Sequence, residues 1–373
     1  MQTCTRCVCD TTIPGIRFDT NGVCNFCHAH DALEECYPLG KPGEDKLARL
    51  VREIQRRGAC RPYDCVVGLS GGTDSTYSLY LMTKLGLRPL AVHLDNTWDT
   101  DIAKQNVANA VRELGVPLRE ISCDWEPFWD LQVSFLKASV PEAEIPTDVA
   151  IHGALFQAAA EEGIQYVING HSFRTEGVAP IGWTYMDGRY IQSVQRRFGS
   201  TGLQGFPNLT LSKVLYHTFV QRIRGIPVLN YVSYSKEAAR EVLRKELGWT
   251  YYGGHHFEST YTHFIIACVL WRKFGIDKRK ISLSAQVRSG QAGRADALRL
   301  LGTPLDVDEA TVVQCINRLG LTESEFERIM AAPVKSFHDY PTYYPLFRLA
   351  RWPVKIACSV GALSPIVYAK YYS

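Results

Sequence analysis

Residues 66–82 read VVGLSGGTDSTYSLYLM, and the fold turns on them. DCVVGL, 64–69, is a short apolar run between turn formers, the pattern of a strand buried on both faces. STYSLYLMTKLG, 75–86, reads as a helix with Gly86 as its stop. Between the two stand Ser70, Gly71, Gly72, Thr73, Asp74 and Ser75. Glycines let a chain turn tightly and come close to a ligand. The free N–H groups at a helix start, together with the helix dipole, then form an anion site. Ser70, Thr73 and Ser75 add hydroxyl donors, and Asp74 beside a phosphate site suits a magnesium ion. The Walker pattern GxxxxGK is absent, and the turn is not GxGxxG.

Outward from this turn, strands and helices alternate. GEDKLARLVREIQRRG, 43–58, has apolar residues at Leu47, Leu50, Val51 and Ile54, the spacing of an amphipathic helix. PLAVHLDN (89–96), PLREISCD (117–124) and IQYVING (164–170) read as strands, with helices at 101–115 and 148–163. The order predicts an α/β fold with a doubly wound parallel sheet and right-handed crossovers. Such sheets bind ligands in the crevice beyond the carboxyl ends of their strands. His93, Asp95 and Asn96 end the second strand and are candidates for adenine or ribose; Gly170 ends the fourth and admits close approach. His171 reads equally as a phosphate contact or a capping residue. Glu176 reads as a solvated loop charge, or, by resemblance to the acidic group of related enzymes, as support for magnesium or substrate. Residues 172 to about 230, rich in Gly, Arg and aromatics, read as loops and short helices. From Ser235 onward the chain reads as mostly helical, and apolar Phe264 to Leu270 as a buried helix.

The chain opens with a second motif. Cys4 and Cys7, then Cys24 and Cys27, form two CxxC pairs. In a secreted chain 12 cysteines would imply disulfides; paired CxxC spacing in an intracellular one implies metal. Four thiolates at this spacing suit a tetrahedral zinc site with no position open to water, so its role is structural. An iron–sulfur cluster is the other reading of the same four. Cys9 and His28 stand beside them as possible substitutes, and the other cysteines read mostly as small buried hydrophobes.

At 373 residues the chain is long enough for two or more domains. We expect a zinc-ribbon knuckle at 1–32, a connecting helix at 33–62, a nucleotide-loop domain at 63–235 and a helical region at 236–373. A net charge of +3 gives no argument for a nucleic-acid partner. No apolar run approaches the roughly 18 residues a membrane span needs. The chain lacks the apolar core of a signal peptide, so it reads as cytoplasmic.

SGGxDS resembles the PP-loop of the ATP pyrophosphatase (adenine nucleotide alpha hydrolase-like) superfamily, whose members cleave ATP between the α and β phosphates. A zinc ribbon beside that loop fits two branches, the tRNA thiolases and the N-acetyl sugar amidotransferases of the WbpG/PseA type. The stretches IPTDVAIHGALFQAAAEEGIQYVINGHSFRTEG, ELGWTYYGGHHFESTYTHF and FGIDKRKISLSAQVRSGQAGRADAL resemble the amidotransferases. No CxxC lies beyond Cys27, as sulfur transfer would ask. The sequence departs from the amidotransferase pattern at His255, where a Lys-His pair is expected.

The resemblance implies a fold of the PP-loop kind and an ATP-dependent ligase that turns an acetamido group into an acetamidine. ATP would adenylate the amide oxygen, releasing pyrophosphate, and ammonia would displace AMP, in synthesis of LPS O-antigen or a related surface glycan. It implies ATP, Mg2+ and structural Zn2+ as cofactors, and a sugar substrate that is nucleotide-linked or nonulosonic. Lys278, Arg279 and Lys280 are the expected cations for the phosphates, with Arg288 and Arg294 in support; a solvated basic turn is the alternative. Asp148, His171, Glu176, Glu258, Arg288 and Gln291 are substrate candidates, with Thr147, His256 and Ser259 weaker ones. No Cys follows Met1 and no GxCxG nucleophile elbow occurs. Ammonia is therefore expected from a separate glutaminase subunit, of the triad type by resemblance. The competing function is a tRNA thiolation sulfurtransferase built on the same loop and ribbon.

Overall fold

The computed structural model describes residues 2–254, 257–305 and 307–372. Five parallel strands form one sheet: β1 Cys65–Gly68, β2 Pro89–Asp95, β3 Leu118–Ser122, β4 Tyr166–Asn169 and β5 Arg224–Pro227, in the order β3-β2-β1-β4-β5. Val66 pairs with Leu90 on one side and Val167 on the other, so β1 is central and shielded from water. Its alternating residues serve two cores. Cys65 and Val67 meet apolar residues of helices α2 (Lys41–Gly58), α3 (Thr73–Lys84) and α4 (Asp101–Leu114). Val66 meets Leu155 and Ala158 on the opposite face.

Helix α1, Asn25–Cys36, grows out of the second CxxC pair. Helices α5 (Trp125–Ala138) and α6 (Ile145–Glu161) connect β3 to β4, and α6 supplies Leu155 and Ala158. The stretch read as loops and short helices holds more order than expected. It contains α7, Gly188–Phe198, and the whole of β5. β5 is four residues, RGIP, with a glycine and a proline. An edge strand tolerates both, and neither leaves a strand signal in the sequence.

Helix α8, Lys236–Leu247, returns to the α2–α4 face through Leu243 and Leu247. Phe264 to Leu270 is helical and buried apart from Ile266, with a π-helical turn over Ile265–Leu270. Helices α9 (Arg279–Arg288) and α10 (Arg294–Leu301) follow, and α11, Pro365–Tyr372, is the last. The cysteine knuckle is not a free appendage. Its four cysteines are fully buried and share a core with α5, the start of α6 and the C-terminal helices. Of the cysteines expected in cores, Cys36 and Cys60 are instead exposed. No helix among the described residues is long and apolar enough to cross a membrane.

Candidate functional site

The turn after β1 is shaped by what it cannot accommodate. Gly71 has φ +77, and a Cβ there would stand 2.3 Å from the Ala103 carbonyl oxygen. Only glycine fits. The Gly71 carbonyl accepts from Trp249 Nε1 at 2.9 Å and from Asn106 Nδ2 at 3.3 Å, which pins the turn. Across the cleft, a Cβ on Gly170 would lie 2.9 Å from Ser75 N, so β4 closes directly on the loop. Helix α3 opens at Thr73, and the N–H groups of its first turn have no partner within the helix. Ser70 and Ser75 bridge the turn, Oγ to Oγ, at 3.0 Å. Thr73 N donates to Tyr252 OH at 3.3 Å, while Thr73 Oγ1 is buried without a partner.

Two carboxylates meet one ammonium in this cleft. Lys236 Nζ lies 2.9 Å from Asp74 Oδ2 and 3.4 Å from Glu176 Oε1. Tyr234 OH donates to the other oxygen of Asp74. Burial lifts the Asp74 carboxyl to about 6; Lys236 pulls against that and Glu176 adds to it. Burial works against the Lys236 ammonium, yet Asp74 and Glu176 outweigh it and hold its pKa above the ordinary lysine value. Arg240 completes the positive wall. Its guanidinium lies over the Tyr251 ring at 4.3 Å, and its Nε is buried with no partner. The cleft encloses about 180 Å³, with Gly170, His171, Tyr252 and Glu258 also in its lining. It offers N–H groups, two cations and hydroxyls to an anion, and two hard carboxylates to a cation.

Of the expected nucleotide residues, Ser70, Gly72, Thr73, Asp74, Ser75 and Gly170 line the cleft, and so do His171, Glu176 and Glu258. His171 is oriented by a 3.0 Å contact from Nε2 to the Gly177 carbonyl. His93, Asp95 and Asn96 are placed elsewhere. His93 is buried between the Leu69 carbonyl (2.8 Å) and Asp99 (3.3 Å), where it supports the loop from below. Asp95 and Asn96 accept from the N–H groups of Thr97 and Trp98.

The structure does not bring the basic turn to the loop. Arg279 is paired with Asp277 at 2.8 Å and also donates to the Thr303 carbonyl. Lys280 pairs with Asp10 at 2.7 Å. Arg288 donates to the sulfurs of Cys27, Cys7 and Cys9, each at 3.3 Å. Arg294 holds the carbonyls of Cys7 and Cys4. Gln291 donates to the Tyr234 carbonyl at 3.0 Å, behind the cleft. Lys278 and Asp148 stand in a separate cluster, described below. Ser259 caps the helix at Thr260, and His256, like His255, lies outside the described residues.

Sequence reasoning passed over Lys236, Arg240, Tyr234 and Tyr252. One signal was present. Lys236 is the first residue of α8, where the helix dipole disfavours a cation.

The knuckle brings four sulfurs together. Cys4 and Cys27 are 3.8 Å apart, Cys7 and Cys24 3.7 Å, and Cys24 and Cys27 3.7 Å. All four ligand atoms lie within 4.8 Å of one another and could hold a metal ion. Cys9 is outside this set and bonds Ser284 at 3.1 Å; His28 pairs with Asp19 at 3.0 Å.

The fold is α/β, a parallel doubly wound sheet, and SGGTDS, the stretch that resembles a PP-loop, stands between its central strand and the next helix. Residues 258–353 match the family described as LPS biosynthesis protein WbpG-like, C-terminal domain. None of the curated proteins matches the chain. Among solved structures, NMN synthetase from Francisella tularensis is similar at 15% identity and a TM-score of 0.34, over 76% of this chain and 96% of that one. The U34-tRNA thiolase NcsA from Methanococcus maripaludis, with its 4Fe-4S cluster, is similar at 14% identity and a TM-score of 0.33, over 87% and 99%. A predicted tRNA methyltransferase subunit from Methanocaldococcus jannaschii is similar at 14% and 0.30, over 58% and 90%. At these TM-scores the likenesses carry no functional argument.

Proposed function

We propose that the protein is an ATP-dependent amidotransferase that converts an acetamido group of a sugar to an acetamidine. The observation that carries the reading is the joining of two parts. A WbpG-like segment begins at Glu258, and Glu258 lines the same cleft as the SGGTDS turn, Lys236 and Glu176. Two further features support it. The cleft lining contains no cysteine among the described residues, as a sulfur-transfer site would need. Unpartnered Arg240 Nε and Thr73 Oγ1 are donors suited to phosphate oxygens.

In this reading the first turn of α3, Lys236 and Arg240 hold the phosphates of ATP. The acetamido oxygen attacks the α-phosphorus, pyrophosphate leaves, and an O-adenylated imidate forms with loss of the amide proton. Ammonia then adds to the imidate carbon and AMP departs. The amide oxygen is a poor leaving group until AMP carries it away. Lys236 and Arg240 offset the charge that develops as the α–β bond breaks. Asp74 and Glu176 would supply carboxylate oxygens to Mg2+ once Lys236, paired with both, turns to the phosphates. Bound there, magnesium would neutralise phosphate charge.

Zinc is the ion we assign to the knuckle. A tetrahedron with Zn–S bonds of about 2.3 Å has edges of about 3.8 Å, which is the observed sulfur spacing. Arg288 offsets the excess negative charge of four thiolates around one divalent ion. Ammonia comes from a separate triad-type glutaminase, and the product serves synthesis of LPS O-antigen or a related glycan.

The test is pyrophosphate release with ATP, Mg2+, ammonium and a panel of acetamido sugars, nucleotide-linked and nonulosonic. The expected result is release with one sugar, a product one mass unit lighter, and loss of both in Asp74→Ala. Release with bulk tRNA and with no sugar would overturn the reading.

A further inference from the structure

A second group of ionisable side chains stands at the same edge of the sheet, and the loop chemistry does not use it. α6 runs antiparallel to the strands and ends where β4 starts, so its first turn lies at the carboxyl edge, the edge of Ser70–Ser75. His171 and Glu176 line the loop cleft, while Val178, like Ile366 and Ala369 of α11, packs against Leu33, Tyr37 and Phe173.

Three elements carry the second group. α6 brings Asp148 and His152, one turn apart; Lys278 precedes α9; Lys370 comes from α11. The charge of Asp148 acts on both His152 and Lys370, and the charges of Lys278 and Glu142 act on Lys370. All four side chains are half-buried, and none makes an ion pair or side-chain hydrogen bond to a described residue. Just before α6 and in its first turn, Glu142 Oε1 and Thr147 Oγ1 are buried with no hydrogen-bond partner, on residues 1% and 7% exposed.

Folded proteins pair the polar groups they bury. Here two half-buried lysines repel each other, and an acid, an imidazole and a buried hydroxyl near them in the fold or the chain have no hydrogen-bond partner among the described residues. A ligand with anionic and hydroxyl oxygens would satisfy all of them. Burial draws the Lys370 ammonium down to about 8, and an anion would restore its charge. Burial likewise pushes the Glu142 carboxyl up to about 8, so at neutral pH it can donate a hydrogen bond.

We propose that Lys370 and Lys278, with Asp148 and His152 beside them, form the pocket that takes an anionic oxygen group of the acetamido substrate. The group is a carboxylate on the sugar or a phosphate of its nucleotide. The assignment rests on the reading of the loop cleft as the place where that substrate is activated. Lys370 lies past the family-matched residues 258–353, and the sequence motifs gave neither Lys370 nor His152 a part.

The experiment is calorimetric titration of the full chain with three probes: UDP, UDP-N-acetylglucosamine and UDP-N-acetylglucosaminuronate. Wild type is compared with Lys370→Gln, Lys370→Arg and Lys278→Gln, and ATP affinity and melting serve as checks on the fold. We expect the uronate to bind about tenfold or more tighter than the neutral sugar, the size of a charge-assisted hydrogen bond. Lys370→Gln and Lys278→Gln should erase that preference, and Lys370→Arg should restore part of it. Equal weakening of UDP and both sugars would support the pocket with phosphate as the bound group. Binding of all three unchanged in Lys370→Gln, or no binding to wild type, would overturn the proposal. Pyrophosphate assays on the same variants separate the two claims. Lys370-dependent affinity without pyrophosphate release from any sugar would sink the amidotransferase reading and leave the pocket. Release with an unaltered sugar KM in Lys370→Gln would sink the pocket alone.

Discussion

Two sets of basic residues lie near the middle of this molecule, and their fates differ. Between Arg279 and Arg294 the chain is dense in positive charge, and each of its four cations except Arg279 is committed to the knuckle. Lys280 pairs with Asp10, Arg288 with the cysteine sulfurs and Arg294 with cysteine carbonyls. Arg279 is held by Asp277. Lys236 and Arg240 are only two, one helical turn apart on an ordinary amphipathic helix, yet both reach the loop. Density of charge along a sequence therefore does not locate available charge. What matters is where the fold puts the cation: Lys236, though paired with Asp74 and Glu176, stands in the cleft lining, and the Arg279–Arg294 set does not.

The largest break in this comparison should come from Arg288→Met. Removing one side of a part-buried charge cluster costs on the order of 3 kcal/mol. Bound metal should fall and the melting temperature with it, read by metal analysis and calorimetry. Wild-type metal content and stability would show that Arg288 is not the counter-charge of the knuckle. Lys236→Met should be next, with pyrophosphate release down by roughly 10²–10³ and the fold intact, as for loss of one preorganised stabiliser of developing charge. Lys280→Gln should be milder. It leaves Asp10, 4% exposed, with Thr12 as its remaining partner, at about 1–3 kcal/mol. Its thermal shift should come without any change in ATP affinity.

The smallest effect sharpens the account through pH. The Glu142 carboxyl is pushed up to about 8 from 4.5, so the folded chain keeps a proton that the unfolded chain gives up. Stability from this group is present below about pH 4.5 and is lost as pH rises toward 8. Glu142→Gln carries no such loss. The melting-temperature advantage of Glu142→Gln should open across that window and close at its acid end. A gap independent of pH would contradict the assignment.

What was legible in the sequence is local. The strand–turn–helix at 64–86 and the two CxxC pairs are each contiguous, so residue type and spacing announce them. That β1 to β4 are parallel strands of one sheet followed from their alternation with helices. β5 escaped because an edge strand of RGIP needs no β-forming run. The cleft was half legible for the same reason. Asp74 is part of its motif, but Tyr234 and Lys236 lie about 160 residues further on and meet it only in the fold. The cluster around Lys370 needs three separate elements, and no window of sequence contains it.

The most direct test is ATP titration, with Mg2+, of Lys236→Gln against Lys280→Gln, both checked for a wild-type fold. The account predicts that Lys236→Gln loses about tenfold or more in affinity, while Lys280→Gln binds as wild type does. The reverse pattern would place the nucleotide on the basic helix and contradict the account.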